Sequence, residues 1–258
     1  MKEDYKGLLG LDDHLNDRNP KWFPSDTKSN FLKSSKENQE YWNNNPFKYT
    51  LNSWGHRCEN IIVSQDNIVF LGCSLTFGIG LPKEQTWTHQ VAEALGKREV
   101  NLGVPGGSLD SAYRLYDAWQ YEIKADVTVL MIPPGRRVEI DRGKYYLRYA
   151  HWSRGTVSDF TPEMDDFIMF SCLDDKPYQT IKNKNIAAIK WIAHETNSKL
   201  YIVESHSFQL PSPSKTIGDV RKHERTARDG RHPGPVWHEE TARYILNEIR
   251  RDTETSSS

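Results

Sequence analysis

The sequence predicts an α/β fold: a three-layer α/β/α sandwich on a mostly parallel, flavodoxin-like sheet of four or five strands. Two patterns predict it. The continuous apolar run Ile68-Val69-Phe70-Leu71 reads as a buried parallel strand, and Val127 to Ile132 and Leu200 to Val203 read as further strands. Between them lie amphipathic segments of helical period. Strands that alternate with helices imply right-handed crossovers and a parallel sheet with both faces covered.

Taken in order, residues 1–55 are polar and poor in aliphatics, yet carry Trp22, Phe23, Phe31, Tyr41, Trp42 and Phe47. Disordered segments are poor in aromatics, so this stretch is expected to be an irregular arm packed on a main body spanning 56–258. The first strand, Ile68 to Leu71, runs into Gly72. Trp87, Val91 and Leu95 recur at i, i+4 and i+8, which predicts a helix over 86–95 stopped by Gly96. Glu99 to Leu102 is the second strand, and Leu109, Tyr113, Tyr116 and Trp119 mark a helix over 109–123. The third strand, Val127 to Ile132, is broken by Pro133-Pro134. Ile181, Ala188, Ile189 and Ile192 line a helix near 178–196, ahead of the fourth strand. Trp237, Thr241, Tyr244, Ile245 and Ile249 mark a last helix after Pro235. Two connections are long. Residues 135–176 are rich in aromatics, among them Tyr149, Trp152, Phe160 and Phe167, and read as an insertion whose rings either pack it or form a lid or sugar-stacking wall. Residues 205–235 are polar and join the last strand to the last helix.

Composition excludes several classes. The 258 residues hold 34 Lys+Arg and 35 Asp+Glu, a net charge of −1, so no global field draws nucleic acid or an anionic membrane. No stretch approaches the roughly 18 uncharged apolar residues of a membrane span, and Met1-Lys2-Glu3-Asp4 lacks the apolar core of a signal peptide. Cys58, Cys73 and Cys172 are odd in number and form no CxxC pair, which suits a reducing, cytoplasmic setting. His223, His232 and His238 fall in no metal-binding spacing, so neither metal nor organic cofactor is expected. The run Arg221-Lys222-His223-Glu224-Arg225, with Arg228 and Arg231, reads as a solvated face interleaved with acids; contact to an anionic substrate or RNA is the alternative.

Three segments carry chemistry. Gly72-Cys73-Ser74-Leu75-Thr76-Phe77-Gly78 follows the first strand, where open α/β sheets bind ligands. Ser74 is either a nucleophile there or, with Thr76, the cap of a strand-to-helix turn. It is not a G-x-S-x-G elbow, because position 76 is Thr. Cys73 is expected to point away from Ser74. Asp229-Gly230-Arg231-His232 can fold into a tight turn in which the carboxylate accepts from Nδ1–H and leaves Nε2 as a base; a chance polar loop is the alternative. Asn101-Leu102-Gly103-Val104-Pro105-Gly106-Gly107-Ser108 offers glycine amides to an oxyanion, or merely caps the next helix at Ser108. All three fall at one edge of the expected sheet.

At this point the sequence resembles the SGNH (GDSL-like) hydrolase family over about 68–250, with its blocks in the family's order. Cys73 stands where many members carry Asp. The resemblance implies Ser74 as nucleophile and oxyanion donor through its N–H, Gly106 as a second N–H donor, His232 as base and Asp229 as its orienting partner. One block departs. The family's Gly-x-Asn-Asp after the third strand is replaced by Ile132-Pro133-Pro134-Gly135-Arg136-Arg137, with no Asn. Either Arg136 or Arg137 takes over the anion-stabilising role, or activity is weak, or the substrate is unusual; the alternative is that both arginines simply face solvent. Asn52-x-x-Gly55-x-Arg57 resembles a hairpin seen ahead of the first block in some relatives, and would bring Arg57 near the site or serve only as a turn. The function implied is a serine hydrolase of an ester or O-acyl group, with O-acetyl carbohydrate as the favoured substrate and a small-molecule or carbohydrate ester as the only partner. The alternative is a non-catalytic glycan-binding or structural protein, of viral type among others, on the same fold.

Overall fold

The computed structural model describes residues 6–8, 18–143, 145–158, 160–204 and 225–255. In chain order its elements are α1 (Lys28–Leu32), α2 (Lys36–Asn44), β1 (Asn67–Leu71), α3 (Ser74–Phe77), α4 (Trp87–Ala94), β2 (Arg98–Asn101), α5 (Leu109–Ile123), β3 (Val127–Ile132), β4 (Arg137–Asp141), β5 (Tyr146–Ala150), α6 (Pro162–Ile168), α7 (Asp175–Glu195), β6 (Lys199–Glu204) and α8 (Pro235–Thr255). The predicted three-layer sandwich is present.

The main sheet has four strands in the order β2-β1-β3-β6, and every pair is parallel. Ile68 stands opposite Glu99 on one side and Val127 on the other. The two-residue period of the strands divides the core. Val69, Leu71, Val100, Leu130 and Ile132 face α5 and α7, where they meet Ala112, Leu115, Trp119, Ile189 and Ile192. Ile68, Phe70, Val129, Met131 and Val203 face α4 and α8, where they meet Trp87, Val91, Trp237, Ala242 and Ile245. Phe70 and Trp87 pack edge to face with ring centroids 5.1 Å apart. Burial on both faces explains why the central strand β1 reads as an unbroken apolar run; the edge strand β6 is only partly covered, and Ile202 is exposed.

Helix boundaries follow from local chemistry. Thr86 caps α4 by accepting from the His89 N–H. Ser108 caps α5 by accepting from the amides of Asp110 and Ser111, while Ser111 Oγ accepts in return from the Ser108 N–H. The buried stripe of α5 runs through Leu109, Ala112, Leu115, Tyr116 and Trp119. Tyr113, expected on that stripe, is exposed because the face toward the sheet lies one residue away.

The insertion is built rather than loose. β4 and β5 form an antiparallel hairpin, with Arg137 opposite Ala150 and Glu139 opposite Arg148. A π-helical turn, Met169–Leu173, joins α6 to α7. Val138, Tyr149, Ile168 and Leu173 give this region its own small core, with Phe160 stacked on Tyr149 at 5.7 Å. Phe167 and Trp152 remain exposed.

The described part of the N-terminal arm joins the body closely. Phe23 stacks on Phe77 at 4.9 Å, and Tyr49 and Leu51 belong to the same core as β1. Asp26 pairs with Arg228 at 2.6 Å. Tyr49 Oη donates to Asp26 at 2.6 Å and accepts from the Gly80 N–H at 2.7 Å. Burial, followed by the charge of Asp26, pushes the Tyr49 phenol well above its ordinary pKa, so it remains a donor. Among the described residues no helix is long and apolar enough to cross a membrane.

Candidate active site

β1 and β3 are neighbours, but the chain leaves β1 toward β2 on one side and leaves β3 toward β6 on the other. That reversal opens a crevice at the carboxyl ends of the strands. Ser74 lies on its edge, as the first residue of α3 directly after β1. Two glycines permit the approach. A Cβ on Gly72 would meet Thr76 Oγ1 at 2.2 Å and the Met131 carbonyl oxygen at 2.9 Å. A Cβ on Gly103 would meet the Phe77 nitrogen at 2.5 Å. Only bare backbone fits at either point. Asn101 ties the two loops together, donating from Nδ2 to the Thr76 carbonyl at 2.9 Å and accepting the Gly103 N–H at 3.0 Å.

Ser74, His232 and Asp229 come together in series. Ser74 Oγ lies 2.9 Å from His232 Nε2, and His232 Nδ1 lies 2.7 Å from Asp229 Oδ2. The turn expected for Asp229-x-x-His232 is formed. Asp229 Oδ1 accepts the amides of Arg231 and His232 at 3.0 Å each, and the Ala227 N–H donates to the His232 carbonyl at 3.1 Å. Burial acts to raise the Asp229 pKa, but the His232 ring and these amides outweigh it and hold the carboxyl below its ordinary value. The Asp229 side chain is fully buried and that of His232 is 18% exposed. A carboxylate, an imidazole and an alcohol so placed can keep the imidazole proton on Nδ1 and move the Ser74 proton to Nε2. The amides of Ser74 and Gly106 have no acceptor among the described residues, and both residues line the cleft.

The cleft measures about 660 Å³. Ser74, His232, Pro105 and Gly106 contribute the body side. Trp22, Phe23, Pro24 and Ser25 of the arm, Arg137, Arg148 and Trp152 of the insertion, and Arg231 complete it.

The three expected anion-binding arginines part company. Arg137 lines the cleft, with Nε bonded to the Pro134 carbonyl at 2.9 Å and the guanidinium 5.0 Å from the Trp152 ring. Arg136 does not line it. Its guanidinium turns to the start of α7, pairing with Asp175 and donating to the Leu173 carbonyl at 3.1 Å. Arg57 does not line it either. It is fully buried behind the loop that carries Ser74, donating to the carbonyls of Phe77 (3.0 Å), Gly78 and Leu81 and lying 4.7 Å from the Tyr49 ring. Arg57 braces the loop, because three carbonyls that turn inward need a donor with several N–H groups.

Arg228 corrects the expectation of a solvated basic face, since it is 3% exposed and paired with Asp26. Arg225 stacks on Tyr41 at 3.5 Å, while Arg221 to Glu224, including His223, lie outside the described residues. Cys73 is fully buried, facing away from the cleft that Ser74 lines. No group of three potential metal ligands occurs among the described residues.

Sequence reasoning missed Ser25 and Arg148; Arg231, for which contact to an anionic substrate is the alternative reading, lines the cleft. Ser25 Oγ donates to Asp229 Oδ2 at 3.2 Å across 204 positions of sequence. No local pattern announces such a contact; the only signal was the density of aromatics around it.

No family model matches the chain, and no curated protein matches it. Among solved structures it is similar to a lipolytic protein of the G-D-S-L family from Desulfitobacterium hafniense DCB-2, at 12% identity and a TM-score of 0.37, over 70% of this chain and 98% of that one. It is similar to the psychrotrophic esterase EstA from Pseudoalteromonas sp., at 13% and 0.36, over 73% and 99%. It is also similar to a catalytic mutant of Axe2, an acetylxylan esterase from Geobacillus stearothermophilus, at 18% and 0.33, over 73% and 96%. By their descriptions these neighbours are lipolytic proteins and esterases, the first from the G-D-S-L family that the sequence blocks of this chain resemble.

Proposed function

We propose that the protein is a serine hydrolase of ester bonds, with residues 56–258 as the catalytic domain and the N-terminal arm as one wall of its site. A single observation carries this reading: the unbroken series Ser74 Oγ, His232 Nε2, His232 Nδ1, Asp229 Oδ2, with links of 2.9 and 2.7 Å, at the edge of an open cleft.

Ser74 Oγ attacks the ester carbonyl while its proton passes to His232 Nε2. A Ser74–acyl bond forms, the ester C–O bond breaks, and His232 returns the proton to the departing alcohol. Water then attacks the acyl-enzyme with His232 again as base, releasing the acid and restoring Ser74. The amides of Ser74 and Gly106 hold the oxyanion, each such donor typically being worth about 10²–10³ in rate. Arg137, which lines the cleft, takes over the anion-stabilising role of the absent block-three Asn. A short acyl group, such as acetyl, on a carbohydrate is the favoured substrate.

The absence of that Asn, with Pro133-Pro134-Gly135 in its place, favours a second reading: a glycan-binding protein without turnover on the same fold. A fluorophosphonate probe separates them. Labelling of the wild type that disappears in Ser74→Ala, with circular dichroism unchanged, supports the hydrolase. Equal labelling of both proteins, or of neither, removes Ser74 as nucleophile.

A further inference from the structure

We propose that the cleft selects O-acyl esters whose alcohol part carries a negative charge close to the ester, with O-acylated sugar acids as the substrate class. This rests on the hydrolase reading and narrows it.

Among the described residues, the lining of the cleft has three guanidiniums and no carboxylate. Arg137, Arg148 and Arg231 border it together with Ser74, and no described Asp or Glu does. The hydrogen-bond partners of the first two guanidiniums are neutral carbonyls: Pro134 at 2.9 Å and Gly107 at 3.5 Å for Arg137, and Pro105 at 3.0 Å for Arg148. Among the described residues none of the three has a carboxylate within ion-pair distance. This is not the habit of the chain. Arg114 and Arg228, buried like Arg137, are each matched, to Glu139 and Asp26 at 2.6 Å; Arg148 is half-buried and Arg231 exposed. Glu139, the acid whose charge acts on Arg148, is already held by Arg114 and by Ser111 Oγ at 2.6 Å.

Burial without a counter-charge is costly, and it lowers the pKa of Arg148. Guanidiniums kept unmatched beside a nucleophile make a site that an incoming carboxylate, sulfate or phosphate completes with charge-assisted hydrogen bonds. The ring platform beside them selects within that class. Trp152 is 62% exposed, and its indole backs Arg137, so a pyranose face and an adjacent carboxylate would be met by neighbouring groups. The Asp229 carboxylate is fully buried and hydrogen-bonded to His232, so it does not itself line the cleft.

The test is a matched pair with one acyl group: 4-acetoxybenzoate and its methyl ester. The neutral member has the better leaving group, so intrinsic reactivity works against the expected result. The full chain should hydrolyse the acid with kcat/KM about tenfold or more above the methyl ester, and the ratio should shrink as salt rises. Arg231→Gln, an exposed substitution, and Arg148→Met should each cut that ratio several-fold. A second pair places the charge on the acyl side, 4-nitrophenyl hydrogen glutarate against 4-nitrophenyl butyrate. Equal or better use of the methyl ester, or a preference for charge on the acyl side alone, overturns the inference. If fluorophosphonate still labels Ser74, the hydrolase reading survives that result. Labelling without turnover of any of the four esters also overturns the inference, and loss of labelling takes both conclusions down.

Discussion

The carboxylate of Asp26 and the guanidinium of Arg228 form an ion pair sealed from solvent, 202 positions apart in sequence and 2.6 Å apart in space. Arg228 is the residue before Asp229, and Asp26 is the residue after Ser25, so the pair clamps the arm to the turn that carries the base. Removing one partner leaves an unmatched buried charge, which typically costs about 3–5 kcal/mol. Asp26→Asn is expected to lower the unfolding free energy by that order in urea. It should also slow fluorophosphonate labelling of Ser74 at temperatures where circular dichroism still reports a folded chain. Wild-type stability together with wild-type labelling would show that the clamp does neither job.

Asp229→Asn tests the orienting role. The amide keeps the shape of the turn but no longer stabilises an imidazole that has taken up a proton, and it permits the wrong tautomer. The expected loss in kcat is about 10⁴-fold with little change in KM. Steady-state kinetics on 4-nitrophenyl acetate measure it. A loss below tenfold would mean that His232 does not depend on this carboxylate.

Gly103→Ala addresses the close approach of two loops. Its methyl group would lie 2.5 Å from the Phe77 nitrogen and 2.9 Å from Thr76 atoms, backbone included, so the nucleophile loop has to move. Overpacking of this kind costs about 1–3 kcal/mol or more. Lower thermal stability together with weaker Ser74 labelling is the expected outcome, read by differential scanning calorimetry and by the probe.

Two buried histidines set the acid stability of the fold. Burial lowers His56 to about 4 and His238 to about 3, the latter helped by the charges of Arg57 and His232. His238 Nδ1 accepts the Trp87 N–H at 3.1 Å, which only the neutral ring can do. Their unfolded values lie near 6.5, so the unfolded chain takes up protons first as pH falls. Stability from these groups is therefore complete above about pH 6.5 and drains away as pH falls toward the folded values. At pH 5 each accounts for about 2 kcal/mol, on the order of 10 °C in Tm for the pair. Melting curves at pH 7 and pH 5 check this; a Tm that does not move between them contradicts it.

The sheet was legible because both of its faces are dry. Phe70 and Leu71 point to opposite layers, and each is apolar, so the run announces a central strand without reference to its neighbours. The relay was legible for a different reason: Asp229 and His232 are close in sequence, and Ser74 follows a strand end that such sheets reserve for ligands. What escaped depends on long-range packing. β4 and β5 are five residues each: β4 alternates charged and apolar side chains from Arg137 to Asp141, but β5, Tyr146 to Ala150, shows no such period, so the hairpin is not announced by its two strands together. Arg57 and Arg137 look alike in sequence. One faces carbonyls that turn inward and the other an open crevice, and only the folded backbone distinguishes them.

The spacing of Asp229 and His232 has a consequence for how activity fails. Three residues of tight turn tether acid to base, so thermal breathing of the sheet leaves that couple whole. The link from His232 to Ser74 bridges separate pieces of chain, 158 positions apart, and is the joint that opens first when the scaffold loosens. Inactivation by heat or mild denaturant is thus expected to precede global melting, as a decoupling of the alcohol from an otherwise intact proton acceptor.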